Sequence, residues 1–269
     1  MQAKQLFEAG RLEGAIQSLQ AGLRTHPLVE GNRSFLVELL CFAGQWERAD
    51  QQLEVLSRQQ PEAIYGVHLF RQLLRAAQAR EQFFTEGRVP EFFESPTEAL
   101  QRYLQAWVSL RDGAVQEAAE LLDQAESDRP HLRGTCNGQA FDDLRDLDDL
   151  TASVLEILTM RGLYYWLPLS RVQSLVFEAQ SCPRDLLWRP VRMTLQGEVD
   201  ASDVFIPVIY GGASGQSEAA RLGRETDWLG GEQGPMRGIG QRLFLVGEDS
   251  LPVMELHELV VEGEEAGHG

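Results

Sequence analysis

The side chains best suited to bind a metal or to transfer protons near neutral pH are five histidines, His26, His68, His131, His257 and His268. None of them has a second histidine three or four residues away, the spacing that places two ligands on one face of a helix. The HExxH motif of zinc proteases is therefore absent, and the sequence predicts no zinc site.

Two glycine-containing motifs resemble pieces of catalytic or nucleotide-binding sequences. Ser214 lies in Gly212-Ala213-Ser214-Gly215, which lacks the G-x-S-x-G spacing of a nucleophile elbow. Gly238-Ile239-Gly240 lies between a glycine-rich loop and a predicted strand, whereas a dinucleotide-binding motif joins a strand to a helix. A GxxxxGK phosphate loop is also absent. The sequence therefore predicts a protein that is not an enzyme and has no cofactor.

An aspartate-rich segment, Phe141–Leu150, brings several carboxylates together. Its acidic residues are Asp142, Asp143, Asp146, Asp148 and Asp149. Oxygen-rich clusters suit Ca²⁺ or Mg²⁺, but this segment lacks the central glycine and closing glutamate of an EF-hand loop. We favour a solvated turn whose aspartates cap backbone amides. A metal loop and a hydrolase site near Asp146 are the alternatives.

The 269-residue chain is strongly negative, with 41 acidic and 24 basic residues and a formal net charge of −17. Such a surface repels phosphate backbones, and no Lys/Arg run offsets it, so we expect neither nucleic acid nor an anionic membrane as a partner. The charge serves solubility or attracts a basic segment of a partner protein.

The three cysteines, Cys41, Cys136 and Cys182, are widely spaced and form no CxxC pair. An odd number at such spacing is typical of reduced cytoplasmic thiols rather than of a disulfide framework. No apolar run approaches the roughly 18–20 residues that a membrane-spanning helix needs, and the N-terminus has no apolar signal core. The sequence therefore predicts a cytoplasmic protein without membrane insertion.

A repeat with the pattern G-x4-A-x3-L-x7-P indicates which elements position a binding site. Its three copies are Gly10/Ala15/Leu19/Pro27, Gly44/Ala49/Leu53/Pro61 and Gly113/Ala118/Leu122/Pro130. The first two copies lie 34 residues apart, the period of the tetratricopeptide repeat (TPR). Glycine permits a tight turn, alanine permits close helix packing, and proline ends the second helix. A long helix at about 62–84 and a connector at 88–96 precede the third copy.

Stacked helical pairs form a concave face mainly from the first helix of each pair. The residues expected on this face, at i, i+4 spacing, are Ser34, Glu38 and Phe42 in the second copy and Tyr103, Trp107 and Arg111 in the third. A groove with exposed aromatic rings and an arginine suits an amphipathic partner helix. The alternative is that Tyr103 and Trp107 pack against the preceding long helix.

Beyond Pro130 the chain changes to short apolar segments separated by turns. Hairpins are predicted around residues 160–162, 197 and 247–250, with a further strand at 175–179 and a last strand at Val253–Val261. Six or seven such strands indicate a small antiparallel barrel. We therefore predict a multidomain α and β protein, with a TPR-like α-α superhelix at 1–130 and a barrel-like β domain at 131–269. Its acidic end, about 262–269, is expected to be disordered.

Segments along nearly the whole chain resemble the ImpE family, also called the TagJ or SciE-like family. The resemblance is carried by Gly10–Ala15, Gly44–Ala49, Gln52–Leu56, Asn137–Gln139, Tyr164–Pro168, Arg184–Pro190, Thr226–Trp228 and Gly238–Arg242. One departure is Gly211, where the family pattern has a proline.

The resemblance implies an α-α superhelix followed by a small β domain, and a non-enzymatic adaptor of bacterial type VI secretion. It implies two partners, the N-terminal helix of the small contractile-sheath subunit (TssB) and the AAA+ ATPase ClpV. The alternative is a structural component that forms a homo-oligomer through its β domain. Trp188, Asp227 and Trp228 are expected to be structural, and a second binding site is the alternative for them.

Overall fold

The computed structural model describes residues 2–29, 31–212, 216–231 and 234–263. Helices occupy its first part, and strands paired in antiparallel sheets occupy its second part. Ser214 and residues 264–269, which make up most of the tail expected to be disordered, lie outside the described residues.

The described residues contain eight α-helices. Their bounds are α1 (Gln2–Glu8), α2 (Leu12–Thr25), α3 (Asn32–Phe42), α4 (Trp46–Gln59), α5 (Ile64–Glu86), α6 (Glu98–Arg111), α7 (Val115–Ser127) and α8 (Glu218–Arg221). None of these helices is both long enough and apolar enough to cross a membrane.

The repeat marks three pairs of packed helices, α1–α2, α3–α4 and α6–α7. Each pair turns at a repeat glycine with a left-handed backbone, at φ +78° for Gly10, +67° for Gly44 and +79° for Gly113. A side chain at these positions would strain the backbone. The repeat alanines have no exposed surface: Ala15, Ala49 and Ala118. The predicted turns and the close packing of the second helices are therefore confirmed.

Helix α5 connects the helical part to the sheets. It follows a 3-10 turn at Pro61–Ala63 and ends at Gly87, where φ is +79°, in agreement with the predicted long helix. Near its end, the ring of Phe83 lies 5.8 Å from that of Trp107 in α6 and 4.8 Å from that of Trp166 in the second half. This aromatic cluster buries the end of α5 against both neighbours.

The strands form three antiparallel sheets within the described chain. Their bounds are β1 (Gly134–Cys136), β2 (Gln139–Phe141), β3 (Leu144–Asp146), β4 (Val154–Leu158), β5 (Tyr164–Pro168), β6 (Val172–Phe177), β7 (Trp188–Leu195), β8 (Ser202–Pro207), β9 (Thr226–Gly231), β10 (Gly234–Gly240), β11 (Leu243–Val246), β12 (Asp249–Pro252) and β13 (Glu258–Val261). The largest sheet has eight strands in the order β2-β1-β13-β6-β7-β8-β4-β5. Because β2 and β5 are its edges and do not pair, the sheet is open, and the expectation of a closed barrel is wrong.

The hairpins predicted around residues 160–162 and 197 are confirmed as β4–β5 and β7–β8. The long strand predicted at Val253–Val261 is wrong, because a 3-10 turn occupies Val253–Glu255 and β13 begins only at Glu258. The side chain of Asn137 fixes the connection by donating to the carbonyl oxygen of Glu255 at 2.9 Å and accepting from the amide of His257 at 2.7 Å.

Candidate functional site

Tyr103 and Trp107 of α6 are buried, with only 1 % and 8 % of their surface exposed. Ser153 Oγ donates to the Tyr103 hydroxyl oxygen at 3.1 Å, and Trp107 Nε1 donates to the carbonyl oxygen of Phe83 in α5 at 2.9 Å. The expectation that these rings are exposed in a groove is therefore wrong. Packing against α5 is confirmed for Trp107, whereas Tyr103 contacts Ser153, which precedes β4. Arg111 is exposed at the end of α6, beside Gly87.

The three groove residues predicted on α3 differ in exposure. Ser34 is exposed, Glu38 is half-buried and Phe42 is 4 % exposed. Burial raises the pKa of Glu38 to about 7, while the attraction of Arg184 opposes this shift and the repulsion of Asp185 adds to it. Both neighbours belong to the 3-10 turn Pro183–Leu186 that precedes β7. Glu38 therefore faces the sheet region rather than open solvent.

We expect Glu38→Gln to stabilise the protein at pH 8 but not at pH 4. The folded-state pKa of about 7 exceeds the unfolded value near 4.5, so the folded chain binds more protons between these pH values. The free energy of unfolding therefore falls as the pH rises from about 4.5 to 7. Glutamine removes this cost, which is on the order of 2 kcal/mol at pH 8 because water still screens the carboxylate. Urea unfolding at both pH values measures the effect, with exposed Glu120→Gln as control. If Glu38→Gln changes the free energy of unfolding equally at pH 4 and pH 8, the prediction is wrong.

A cleft of about 510 Å³ lies between the helical part and the sheet region. It is bordered by the turn from α3 to α4, by α5, by the start of β7 and by residues that follow β8. The aromatic residues of its lining are Phe42, Trp46, Trp188 and Tyr210, and the polar ones with longer side chains are Arg80, Glu81, Gln216 and Arg221. An apolar cleft with a few polar groups is the usual form of a recognition site.

Trp188, at the start of β7, packs across the junction of helices and sheet. Its ring centroid lies 6.1 Å from that of Trp46 in a stacked arrangement and 6.3 Å from that of Phe70 in an edge arrangement. Trp188 is 3 % exposed, whereas Trp46 is half-buried. The predicted structural role of Trp188 is therefore present, and the same residue also lines the cleft.

Asp227 and Trp228 lie in β9 and do not line the cleft. The Asp227 carboxylate accepts a hydrogen bond from the Trp228 amide at 2.8 Å. The Trp228 ring is 5.9 Å from that of Tyr210, which does line the cleft. The ring of Tyr210 therefore connects Trp228 to the cleft.

Four charged side chains form a buried network between α5 and the sheets, namely Arg80, Asp146, Glu156 and Arg242. Arg80 Nε and Nη2 donate to the two Glu156 carboxylate oxygens at 2.8 and 2.9 Å. Arg242 donates to Glu156 Oε2, and its Nη1 lies 3.4 Å from Asp146 Oδ2, close enough for attraction although without hydrogen-bond geometry. The Glu156 and Asp146 side chains are 0 % exposed.

The charge balance of this network depends on Glu156. Burial alone would raise the pKa of Glu156, but Arg80 and Arg242 outweigh it and hold the pKa well below its usual range. For Asp146, burial dominates and raises the pKa to about 7, against the attraction of Arg242. Glu156 is therefore the carboxylate that stays ionised throughout the physiological range, and its single charge offsets part of the charge of the two arginines.

The aspartates predicted to lie in a solvated turn are partly buried instead. Asp146 is 0 % and Asp148 is 2 % exposed, so the solvated interpretation is wrong for both. The predicted capping is confirmed for Asp148, which accepts hydrogen bonds from the amides of Leu150 and Gly238 at 2.9 Å each. Arg237 Nε also donates to Asp148 at 2.8 Å, which offsets its charge. In the described ranges, no group of three or more His, Cys, Asp or Glu residues could hold a metal ion.

The segment that follows the cleft residues contacts the first helical pair. Glu218 accepts a hydrogen bond from the amide of Glu13 at 2.6 Å, and Arg221 Nη1 lies 3.2 Å from Glu13 Oε1. Arg224 donates to the carbonyl oxygens of Phe7 and Glu8 at 2.7 and 2.9 Å, near the end of α1. One border of the cleft is therefore attached to α1 and α2.

The sequence did not lead us to predict the buried network, although it contains one signal for it. Glu156 is the single charged residue in the apolar run Val154–Leu158, and all five residues of this strand are buried. A buried carboxylate needs a cationic partner, so the run itself indicates a buried ion pair. The identity of the partners, Arg80 and Arg242, follows only from the tertiary structure.

Comparisons with known proteins relate the chain to one family model, one curated relative and one solved structure. The family model described as ImpE protein matches residues 138–260. The type VI secretion system accessory component TagJ of Pseudomonas aeruginosa is 34 % identical over 267 residues, which cover 99 % of this chain and 93 % of TagJ. The crystal structure of protein VPA1032 from Vibrio parahaemolyticus has a TM-score of 0.91 and 30 % identity, and the match covers 99 % of both chains. Because the similarity to TagJ extends through the helical part and the sheets alike, the chain belongs to the ImpE family.

Proposed function

We propose that the chain is an accessory component of a bacterial type VI secretion system and acts as a non-enzymatic adaptor in the cytoplasm. The observation that carries this proposal is the similarity to TagJ along 99 % of the chain. In the same proposal, residues 1–130 form a TPR-like α-α superhelix and residues 131–269 form a second domain. Three helical pairs with glycine turns support the TPR-like assignment.

As the partner we propose the N-terminal helix of the small contractile-sheath subunit (TssB), bound in the cleft between α3–α5 and the sheet. The cleft offers apolar contact at the half-buried ring of Trp46, which stacks on the buried ring of Trp188, and an exposed carboxylate at Glu81. Along α5, the lining runs from Ala77 to Thr85, about 12 Å or two helical turns. An amphipathic helix could place apolar side chains at i and i+4 over this length.

Unpartnered polar atoms beside the cleft also favour an occupant. Gln216 Oε1 and Arg221 Nε are buried and have no hydrogen-bond partner among the described residues. Both residues line the cleft. Because buried polar atoms usually have partners, a bound segment with polar groups would complete these hydrogen bonds.

The proposed adaptor would act with the AAA+ ATPase ClpV. A protein that holds a sheath subunit needs no catalytic group of its own, since the ATPase supplies the energy for disassembly. We therefore propose that the chain assists ClpV by presenting the sheath subunit to it. Direct binding of purified ClpV to the complex of this chain with the sheath subunit would test this step.

We expect a peptide with the sequence of the cognate sheath subunit's N-terminal helix to bind saturably in calorimetric titration. Thr85→Trp should weaken this binding at least tenfold, or by about 1.4 kcal/mol. Thr85 is exposed on α5 and lines the cleft, so a tryptophan there would occupy the cleft without changing the core. The matched control is Glu86→Trp, which changes the adjacent exposed residue outside the cleft lining.

Three results separate the alternatives. If Thr85→Trp strongly weakens peptide binding and Glu86→Trp does not, the result supports the cleft as the binding site. If the peptide binds saturably and neither variant changes its affinity, the adaptor function is retained but the cleft is not the binding site. If folded protein fails to bind a helical peptide, the sheath-helix proposal is wrong, and self-assembly into a homo-oligomer becomes the leading function.

A further inference from the structure

A second groove, with a volume of about 770 Å³, lies between α7 and the start of β10. It shares no lining residue with the cleft. Its apolar lining residues, glycines aside, are Val115, Ala119, Leu122, Ala152, Pro235 and Met236. Val115 is 38 % exposed although it is a large apolar residue. The groove therefore presents apolar surface that the described residues leave partly uncovered.

The rim of this groove is acidic. Its carboxylates belong to Asp123, Glu126 and Asp149, and its one basic lining residue is Arg145. Arg145 is already paired, with Nη1 at 3.1 Å from Glu126 and Nη2 at 2.8 Å from Asp149. The positive charge of Arg145 is therefore compensated, and the carboxylate of Asp123 remains available at the rim.

The rest of α7 reinforces this negative field. The helix contains no Lys or Arg and has four carboxylates, at Glu117, Glu120, Asp123 and Glu126. Within the described ranges, only Glu126 of these four makes an ion pair. Glu117 and Glu120 do not line the groove, so Asp123 is the carboxylate of α7 that lies on the rim without an ion-pair partner among the described residues.

The dimensions of the groove fit a short helix. The lining residues of α7 extend from Val115 to Glu126, which corresponds to about 17 Å. Three turns of a partner helix cover the same length. Val115 and Ala119 have the i, i+4 spacing of a helical apolar stripe and keep exposed surface, whereas Leu122 is only 5 % exposed. A second apolar stripe can therefore pack against Val115 and Ala119.

Charge distinguishes among the candidate occupants. The chain's own C-terminal residues Glu262, Glu264 and Glu265 are acidic, and a second copy carries the same formal charge of −17. Both would be repelled from an acidic rim. We propose that the groove along α7 binds a basic amphipathic helix of another protein. Its apolar side chains contact Val115, Ala119 and Met236, and a lysine or arginine pairs with Asp123 at the rim.

A designed peptide tests this proposal without knowledge of the natural partner. The probe is a fluorescent helix of about 14 residues with a leucine stripe and lysines elsewhere, and its control carries glutamate in place of lysine. We expect the lysine peptide to bind the full chain saturably in fluorescence anisotropy, and the glutamate peptide not to bind. Asp123→Lys should weaken binding at least tenfold. Exposed Glu62→Lys, with the same charge change outside the groove, should weaken it less than twofold.

Several outcomes would overturn the proposal. Equal weakening by Asp123→Lys and Glu62→Lys would mean that the peptide responds only to the net charge of the protein. Absence of saturable binding would also refute it. Thr85→Trp in the cleft should not affect the probe; if it abolishes binding, the peptide occupies the cleft and the α7 groove is not its site. The sheath-helix proposal is tested separately, because its peptide should respond to Thr85→Trp and not to Asp123→Lys.

Discussion

Replacing Glu156 with alanine is expected to lower the free energy of unfolding by about 3–5 kcal/mol. The largely buried charge of Arg80 would lose its counterion, and the buried charge of Arg242 would keep only Asp146, whose carboxylate lies 3.4 Å away. The side chain of Arg242 is 1 % exposed and that of Arg80 is 14 % exposed, so water cannot replace the carboxylate. Single domains are stable by only about 5–15 kcal/mol. The variant should therefore be near the limit of folding.

Loss of Glu156 should also weaken the coupling between the helical part and the sheets. Arg80 lies in α5, whereas Glu156 lies in β4, and Arg80 Nη2 also donates to the carbonyl oxygen of Ile209 at 3.0 Å. Without the carboxylate, these contacts across the junction lose their main electrostatic attraction. We expect the unfolding transitions followed by far-UV circular dichroism and by tryptophan fluorescence to coincide in the parent protein and to separate in the variant.

The control for this prediction is the exposed ion pair between Arg192 and Glu178. The closest atoms of the pair are 3.6 Å apart, and the side chains are 60 % and 53 % exposed. Glu178→Ala should change the free energy of unfolding by less than about 1 kcal/mol. If urea unfolding gives Glu156→Ala a value within 1 kcal/mol of the parent, the network does not hold the two parts together.

Gly240→Ala is expected to lower the free energy of unfolding by about 3 kcal/mol. Gly240 ends β10 with φ +79°, which alone disfavours a side chain. A Cβ there would also overlap the carbonyl oxygen of Glu225. That oxygen accepts a hydrogen bond from the Gln241 amide at 2.9 Å, so it cannot retreat without breaking the connection to β9. The effect combines backbone strain with a steric overlap.

Gly197→Ala separates these two contributions. Gly197 has φ +80° in the turn between β7 and β8, but no atom lies within 4 Å of an added Cβ. This variant should therefore lose only about 1 kcal/mol from backbone strain. Thermal unfolding of both variants measures the difference. Equal losses at the two positions would show that the contact with Glu225 contributes nothing.

The helical half could be predicted because its signals are local. A glycine at Gly10, Gly44 or Gly113 is followed five residues later by a small residue, and this spacing alone specifies a turn and a close helix contact. The hairpin around residues 160–162 also depends on neighbouring residues only. Such features follow from backbone geometry, which the sequence encodes within a few positions.

The candidate site was harder to predict because it depends on contacts between distant parts of the chain. Tyr103 and Trp107 have the spacing of a groove face, but the sheet region and α5 cover that face. Asp146 and Asp148 lie in an acidic run that is typical of a solvated turn, yet the fold buries both and places Arg242 beside Asp146 and Arg237 beside Asp148, from a distant part of the sequence. The period of an amphipathic pattern predicts an apolar face, but it does not predict which part of the chain packs against that face.

The central claim, that a partner helix occupies the cleft, is tested most directly by hydrogen–deuterium exchange of the full chain with and without the sheath-subunit peptide. We predict slower exchange at the turn between α3 and α4, residues 43–45, and at residues 209–212, which border the cleft. Exchange in β12, which contributes no residue to the cleft lining, should stay the same. Unchanged exchange at both cleft segments with saturating bound peptide would contradict the account.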